Sequence, residues 1–194
     1  AYDLSGNTSG VICTGKIGMI VPRLLWHLRC QLLDYDPNQD EHHVSLGEQY
    51  TAIDRMLEAS QIDSLNCPLT EETHHLINDE SIARMRDGVM LVNTGRGALI
   101  DTAAVVEGLK SGHIGSLALD VYEEEANLFF QDRSAEIIDD DVFARLLTFP
   151  NVLITAHQAF LTDEALASIA ETTVGNVIAV LDDGECPNEV KANA

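Results

Sequence analysis

The chain has 194 residues, 45% of them hydrophobic and 22% charged, which suits one domain of ordinary size and excludes wholesale disorder. Its 32 acidic residues against 11 basic ones give a net charge of −21, and such a polyanion has no electrostatic attraction to nucleic acid or an anionic bilayer. The unbroken apolar runs are strand-sized, short of the roughly 18 residues that a membrane helix needs, and the opening AYDLSGNTSG has neither the basic nor the apolar region of a secretory leader. Cysteines at positions 13, 30, 67 and 186 lack metal-ligand spacing, so no metal site is expected. Four scattered thiols in a chain of this length are expected to be reduced, which points to a cytoplasmic protein.

Short apolar runs alternate with amphipathic ones along the whole chain. Gly10–Cys13 reads as a strand, followed by a glycine turn and a helix from about Lys16 to Arg29. Pro22 falls inside that helix and predicts a kink just beyond Gly18. Strands are expected at Gln31–Asp36, Ile62–Leu65, Val89–Asn93, Ser116–Val121 and Asn151–Thr155. Helices are expected at Ile53–Ser60, Asp79–Met85, Thr102–Ser111 (stopped by Gly112), Asp139–Leu147 and Asp163–Leu181. Pro37–His43 and Glu123–Asp141 read as solvated loops, and the pairs His42-His43 and His74-His75 as solvated side chains. Trp26, with Leu24, Leu25 and Leu28, reads as core or interface. Strands apolar on both faces and alternating with helices imply a parallel sheet covered on both sides. The expected fold is a doubly wound α/β domain, and residues 1–194 are taken as a single domain.

Val11–Gly18 reads V-I-C-T-G-K-I-G, a turn that joins a strand to a helix, and Asp36 ends the next strand. This is the layout of a dinucleotide site. Gly15 would let the backbone approach a pyrophosphate, and Gly18 would let the helix pack close to the sheet. Asp36 would accept from the adenosine ribose hydroxyls and repel a 2′-phosphate, favouring NAD over NADP. The alternative is an ordinary tight strand–helix turn.

Three later segments each follow a strand, and so lie on the carboxyl edge of the sheet: N-T-G-R-G-A-L-I-D at 93–101, L-D-V-Y-E-E-E at 119–125 and T-A-H-Q-A-F-L-T at 155–162. They put Arg96, Glu125 and His157 on the rim that would hold the dinucleotide. Taken singly, Arg96 reads equally as a solvated turn residue, Glu125 as one more acid of a charged loop and His157 as a cap. As a set they could bind an anion and move a proton beside a nicotinamide.

With these segments, CPLTEETHHLIN, GVMLVNTGRGALIDT and the stretch DDVFARLLTFPNVLITAHQAFLT, the chain resembles the NAD-dependent D-2-hydroxyacid dehydrogenases from about Gly10 to Val190. The insert 126–149 resembles the D-lactate branch of that family. The resemblance implies a Rossmann-type NAD-binding domain with three αβα layers, and pyruvate or D-lactate as the small substrate. Arg96 would grip the substrate carboxylate, His157 would exchange a proton with the C2 oxygen, and Glu125 would hydrogen-bond His157. Besides Gly15, Gly18 and Asp36, positions matching those that line NAD in the family are Lys16, Ile17, Cys67, Pro68, Thr73, Thr94, Gly95 and Asp120. A homodimer through the cofactor domain is also implied.

The family carries a second, N-terminal substrate-binding domain that this chain lacks, so the expectation is a cofactor domain of low activity by itself. A dehydrogenase for another 2-hydroxy acid, of glycerate or phosphoglycerate type, and a catalytically silent NAD-binding or dimerisation module are the alternatives. Three departures stand out: Cys13 in place of the first glycine, Asn66 where many relatives have His before Cys-Pro, and Ala156 for a glycine before His157.

Overall fold

The computed structural model describes residues 3–37, 49–129 and 137–190. The expected loop at Pro37–His43 and the pair His42-His43 fall almost entirely outside these residues, as does the middle of Glu123–Asp141. Two compact units divide the chain, Ala1–His157 and Gln158–Ala194.

The first unit holds a seven-stranded sheet. Its strands are β1 (Thr8–Ile12), β2 (Gln31–Tyr35), β3 (Gln49–Tyr50), β4 (Ile62–Leu65), β5 (Val89–Asn93), β6 (Ile114–Leu119) and β7 (Val152–Ile154). They run in the order β3-β2-β1-β4-β5-β6-β7, and every pairing is parallel. The helices of this unit are α1 (Ile20–His27), α2 (Ile53–Ala59), α3 (Asp79–Arg84), α4 (Thr102–Ser111) and α5 (Asp141–Leu146). From β1 the chain steps one way along the sheet to β2, whereas β4 to β7 step the other way. Right-handed crossovers therefore put α1 and the α3–α5 series on opposite faces. Contacts of α2 with α3, α3 with α4 and α4 with α5 make the second layer continuous. This is the doubly wound, Rossmann-type α/β architecture expected from the alternation, with its switch point between β1 and β4.

The core lies where the sequence is most apolar. Val11 and Ile12 of β1, Leu65 of β4 and Leu91 of β5 are fully buried, with Ile114 and Leu117 of β6 beside them. Helix ends follow local chemistry. Asn78 caps α3 by accepting from the backbone of Glu80 and Ser81, while the Ser81 hydroxyl accepts from Asn78 N–H, a reciprocal box. Asp101 caps α4, which ends at Gly112 with φ 81°, the left-handed conformation that glycine adopts without penalty.

Several expectations are corrected. β3 was missed because a two-residue edge strand carries no apolar run. α1 begins at Ile20 instead of Lys16, so Pro22 sits in its first turn, where the ring nitrogen has no helical partner to lose. The predicted kink is replaced by a turn from Gly15 to Met19 that precedes the helix. Trp26 is 47% exposed and so belongs to the surface, not the core.

The second unit consists of α6 (Asp163–Asp183), capped by Thr162 and ended by Gly184, with a short tail. Asp163–Asp182 has the length of a membrane span, and an 18-residue window within it has a mean hydropathy of 1.3. Glu171 interrupts its apolar pattern, so its unbroken apolar runs are only strand-sized.

One buried carboxyl gives a pH signature. Gly10 of β1 pairs with Asp63 of β4, and a Cβ at Gly10 would lie 2.4 Å from the Asp63 carboxylate, so the glycine makes room for it. Burial pushes the Asp63 carboxyl from 3.8 up to about 7, although it accepts a hydrogen bond from the Ser60 hydroxyl. Burial likewise raises Asp34 to about 7. Between pH 3.8 and about 7 the folded chain therefore holds protons that the unfolded chain has released, and stability falls as pH rises through that window. Asp63→Asn is expected to remove one of these losses and to be more stable than the wild type by about 3 kcal/mol at pH 8, with little difference near pH 4. Urea denaturation at both pH values checks this; equal pH dependence in the two proteins would contradict it.

Candidate active site and dinucleotide cleft

A cleft of about 800 Å³ opens at the carboxyl ends of β1, β2 and β4, where the order of the sheet reverses. Gly15, Lys16, Asp36, Cys67, Pro68 and Thr73 line it. A smaller cleft of about 290 Å³ shares Gly15, Lys16, Cys67 and Pro68 and adds Ile17, Gly18, Thr94, Gly95 and Arg96. Ten of the eleven positions singled out for the cofactor thus line two adjoining cavities. The eleventh, Asp120, is buried at the end of β6 and accepts a hydrogen bond from the Thr155 hydroxyl.

The glycine turn is built as the sequence requires. A Cβ on Gly18 would lie 1.9 Å from the Cys13 carbonyl oxygen, so only glycine permits this approach of helix and strand. A Cβ on Gly15 would meet nothing within 4 Å; there the missing side chain leaves open space at the wall of the cleft. Asp36 accepts from Thr14 N–H at 2.7 Å and from the Thr14 hydroxyl at 3.2 Å, fixing its carboxylate against the turn. An open backbone at Gly15, a lysine beside it and a carboxylate at the end of β2 fit a dinucleotide, phosphates on the turn and ribose on Asp36.

Two rim loops meet at Gly97. Asn93 at the end of β5 donates to the Arg96 carbonyl at 2.9 Å and accepts from Gly95 N–H at 3.0 Å, which shapes the loop that presents Arg96. Gly97 packs so closely on the loop after β6 that a Cβ would lie 2.1 Å from the backbone of Tyr122. On that loop Glu125 accepts from Tyr122 N–H at 3.0 Å with one oxygen and meets His157 Nδ1 at 2.9 Å with the other. Both Ala156 and His157 adopt left-handed φ values, 59° and 55°. The alanine therefore takes the conformation suited to the glycine it replaces, and the imidazole still reaches Glu125. Arg96 lies in the smaller cleft, one loop away from this pair.

Other site features escaped the sequence reading. His75 is half-buried and meets Glu123 at 2.6 Å, and Glu123 also accepts from the Thr102 hydroxyl at 3.1 Å. This pair braces the loop between β6 and Glu125, so His75 is not the solvated side chain that the sequence predicts; the companion His74 stacks on its ring at 3.9 Å. Tyr122 donates to Asp140 at 2.6 Å, and burial raises its phenol. Cys13 and Cys67 form a disulfide, correcting the expectation of four reduced thiols, while Cys30 and Cys186 remain free. Among the described residues no cluster suits a metal ion.

Fold and cleft together define a Rossmann-type domain of the dinucleotide-binding class. The model of the D-isomer specific 2-hydroxyacid dehydrogenase NAD-binding domain matches residues 1–159, and the chain belongs to that family. It is 49% identical to the D-lactate dehydrogenase of Escherichia coli over 190 residues, covering 97% of this chain and 57% of the relative. A 2-hydroxyacid dehydrogenase homolog of Haemophilus influenzae is 48% identical, again over 97% of this chain and 57% of its own length. The chain thus spans little more than half of the curated relatives it matches. Among solved structures, the pyruvate reductase of Chlamydomonas reinhardtii superposes with a TM-score of 0.93 at 41% identity, covering 97% of this chain and 57% of that one. The D-lactate dehydrogenase of Aquifex aeolicus, solved with NAD and lactic acid, gives 0.88 at 36% identity over 98% and 60%.

Proposed function

We propose that this chain is the NAD-binding part of a D-2-hydroxyacid dehydrogenase that interconverts pyruvate and D-lactate. The observation that carries the reading is the His157–Glu125 pair at 2.9 Å, on the same sheet edge as Arg96 and the glycine-turn cleft. When bound, NAD(H) supplies or accepts the hydride at the substrate C2. Arg96 holds the substrate carboxylate with its planar fork, a task that lysine performs less well. His157 gives a proton to the C2 oxygen in reduction and takes it back in oxidation. Glu125, fixed by Tyr122 N–H, orients the imidazole through Nδ1, so the proton is exchanged at Nε2.

Substrate choice follows the relatives called D-lactate dehydrogenase and pyruvate reductase. Because the chain matches only part of their length, the other wall of the substrate cleft is assigned to a second domain, and turnover by this part alone is expected to be low. The exposed Ile20, Leu24, Trp26 and Leu28 on and beside α1 support a homodimer, which light scattering would reveal and a monomer mass would contradict. A cytoplasmic location is part of the same proposal.

The test is NADH consumption on addition of pyruvate to the enzyme complete with its substrate domain. D-lactate is the expected product; NADH that stays constant with small 2-keto acids would overturn the reading.

A further inference from the structure

We infer that Cys13 and Cys67 form a reversible thiol–disulfide site whose oxidation state sets the affinity of the cleft for its dinucleotide. The inference rests on the reading of that cleft as the NAD site.

Cys13 follows β1 and Cys67 follows β4, and their Cα atoms are 5.0 Å apart across the switch point of the sheet. Both line the larger cleft beside Gly15, Lys16 and Pro68. The bond therefore ties the glycine turn to the loop that forms the opposite wall. Cys13 has φ 67°, a conformation that costs any residue but glycine, and the covalent tie helps to hold it there. Both side chains are packed, Cys13 being 9% and Cys67 2% exposed. Once the bond breaks, the sulfurs must move from bonding distance to van der Waals separation. The room for that movement is the cleft itself, and the turn is released from its partner loop at the same time. Reduction thus both occupies and loosens the dinucleotide site, while oxidation preorganises it. In a reducing compartment, a disulfide at a ligand site has the character of a sensor more than of a structural staple.

The exchange partner is a small-molecule disulfide such as oxidised glutathione. Its S–S bond breaks as one cysteine thiolate attacks it, and the mixed disulfide is then displaced by the second cysteine. The Cys13–Cys67 bond forms, the pair loses two electrons, and two small thiols leave with the two protons. A dithiol reverses the step. By linkage, NADH held in the cleft must stabilise the oxidised form by the same factor that oxidation strengthens NADH binding.

The experiment equilibrates the protein in graded mixtures of reduced and oxidised glutathione, counts free thiols after denaturation and titrates NADH into each sample. Oxidised protein is expected to show only the thiols of Cys30 and Cys186 and to bind NADH about fivefold or more tightly than the reduced form. Saturating NADH is expected to slow reduction by dithiothreitol. Cys13→Gly, and independently Cys67→Ser, should abolish the redox dependence of binding. Four free thiols in every mixture would overturn the inference, as would equal NADH affinity in the two states. NADH that binds neither state while the thiol count still changes would overturn the cleft assignment, and with it this inference.

Discussion

In the enzyme complete with its substrate domain, replacing His157 with asparagine is expected to lower pyruvate-dependent NADH oxidation by about a hundredfold or more, the usual contribution of a positioned acid–base group. Asparagine is the informative substitution because residue 157 has φ 55°, and asparagine tolerates the left-handed region better than most residues. The backbone bond from His157 N–H to the Asp120 carbonyl is therefore preserved, and the amide can still donate to Glu125. What is lost is a group that can carry a proton. His157 lines neither part of the dinucleotide cleft, so the NADH dissociation constant should stay where it is. A fall in kcat with unchanged NADH binding is the expected pattern. Wild-type kcat in the variant would remove His157 from the chemistry.

Gly97→Ala is expected to be the most damaging substitution on the rim for stability. Its Cβ would lie 2.1 Å from both C and O of Tyr122 and 2.4 Å from Glu123 N, all backbone atoms that cannot rotate away. The loop carrying Arg96 and the loop carrying Glu125 would have to separate, disturbing the Tyr122–Glu125 hydrogen bond and the brace from His75 to Glu123. A loss of about 3 kcal/mol is expected, in the range of severe overpacking, together with loss of turnover. Gly15→Ala is the control, since a Cβ there meets nothing within 4 Å. Urea denaturation of the two variants separates the cases; equal midpoints would contradict the close approach at Gly97.

Much of this was legible in the sequence for identifiable reasons. β5 (VMLVN) is a short apolar run and β1 ends in one at Val11-Ile12, which marks both as interior parallel strands, whereas β4 (IDSL) is half polar although all four of its residues are buried. Gly112 marks a helix end through local backbone chemistry, which depends on no distant residue. The start of α1 was misplaced because the apolar pattern continues back through the turn at Gly15–Met19. The rim residues Arg96, Glu125 and His157 stood out because each follows a strand, and topology then brings Glu125 and His157 into contact across 32 residues. What stayed hidden depends on approach between segments distant in sequence. The Cys13–Cys67 bond spans 54 residues, the His75–Glu123 pair spans 48, and the demand for glycine at 97 comes from the backbone of Tyr122. No local pattern encodes such meetings.

The central claim is that the cleft between the glycine turn and Asp36 takes NAD. Calorimetric titration of NADH and NADPH into the oxidised protein, and into Asp36→Ala, tests it most directly. Saturable binding of one NADH per chain is expected, with NADPH weaker by about tenfold or more because its 2′-phosphate faces the Asp36 carboxylate. Asp36→Ala should narrow that difference. Heat of dilution alone with NADH, or equal affinity for both dinucleotides in the wild type, would contradict it.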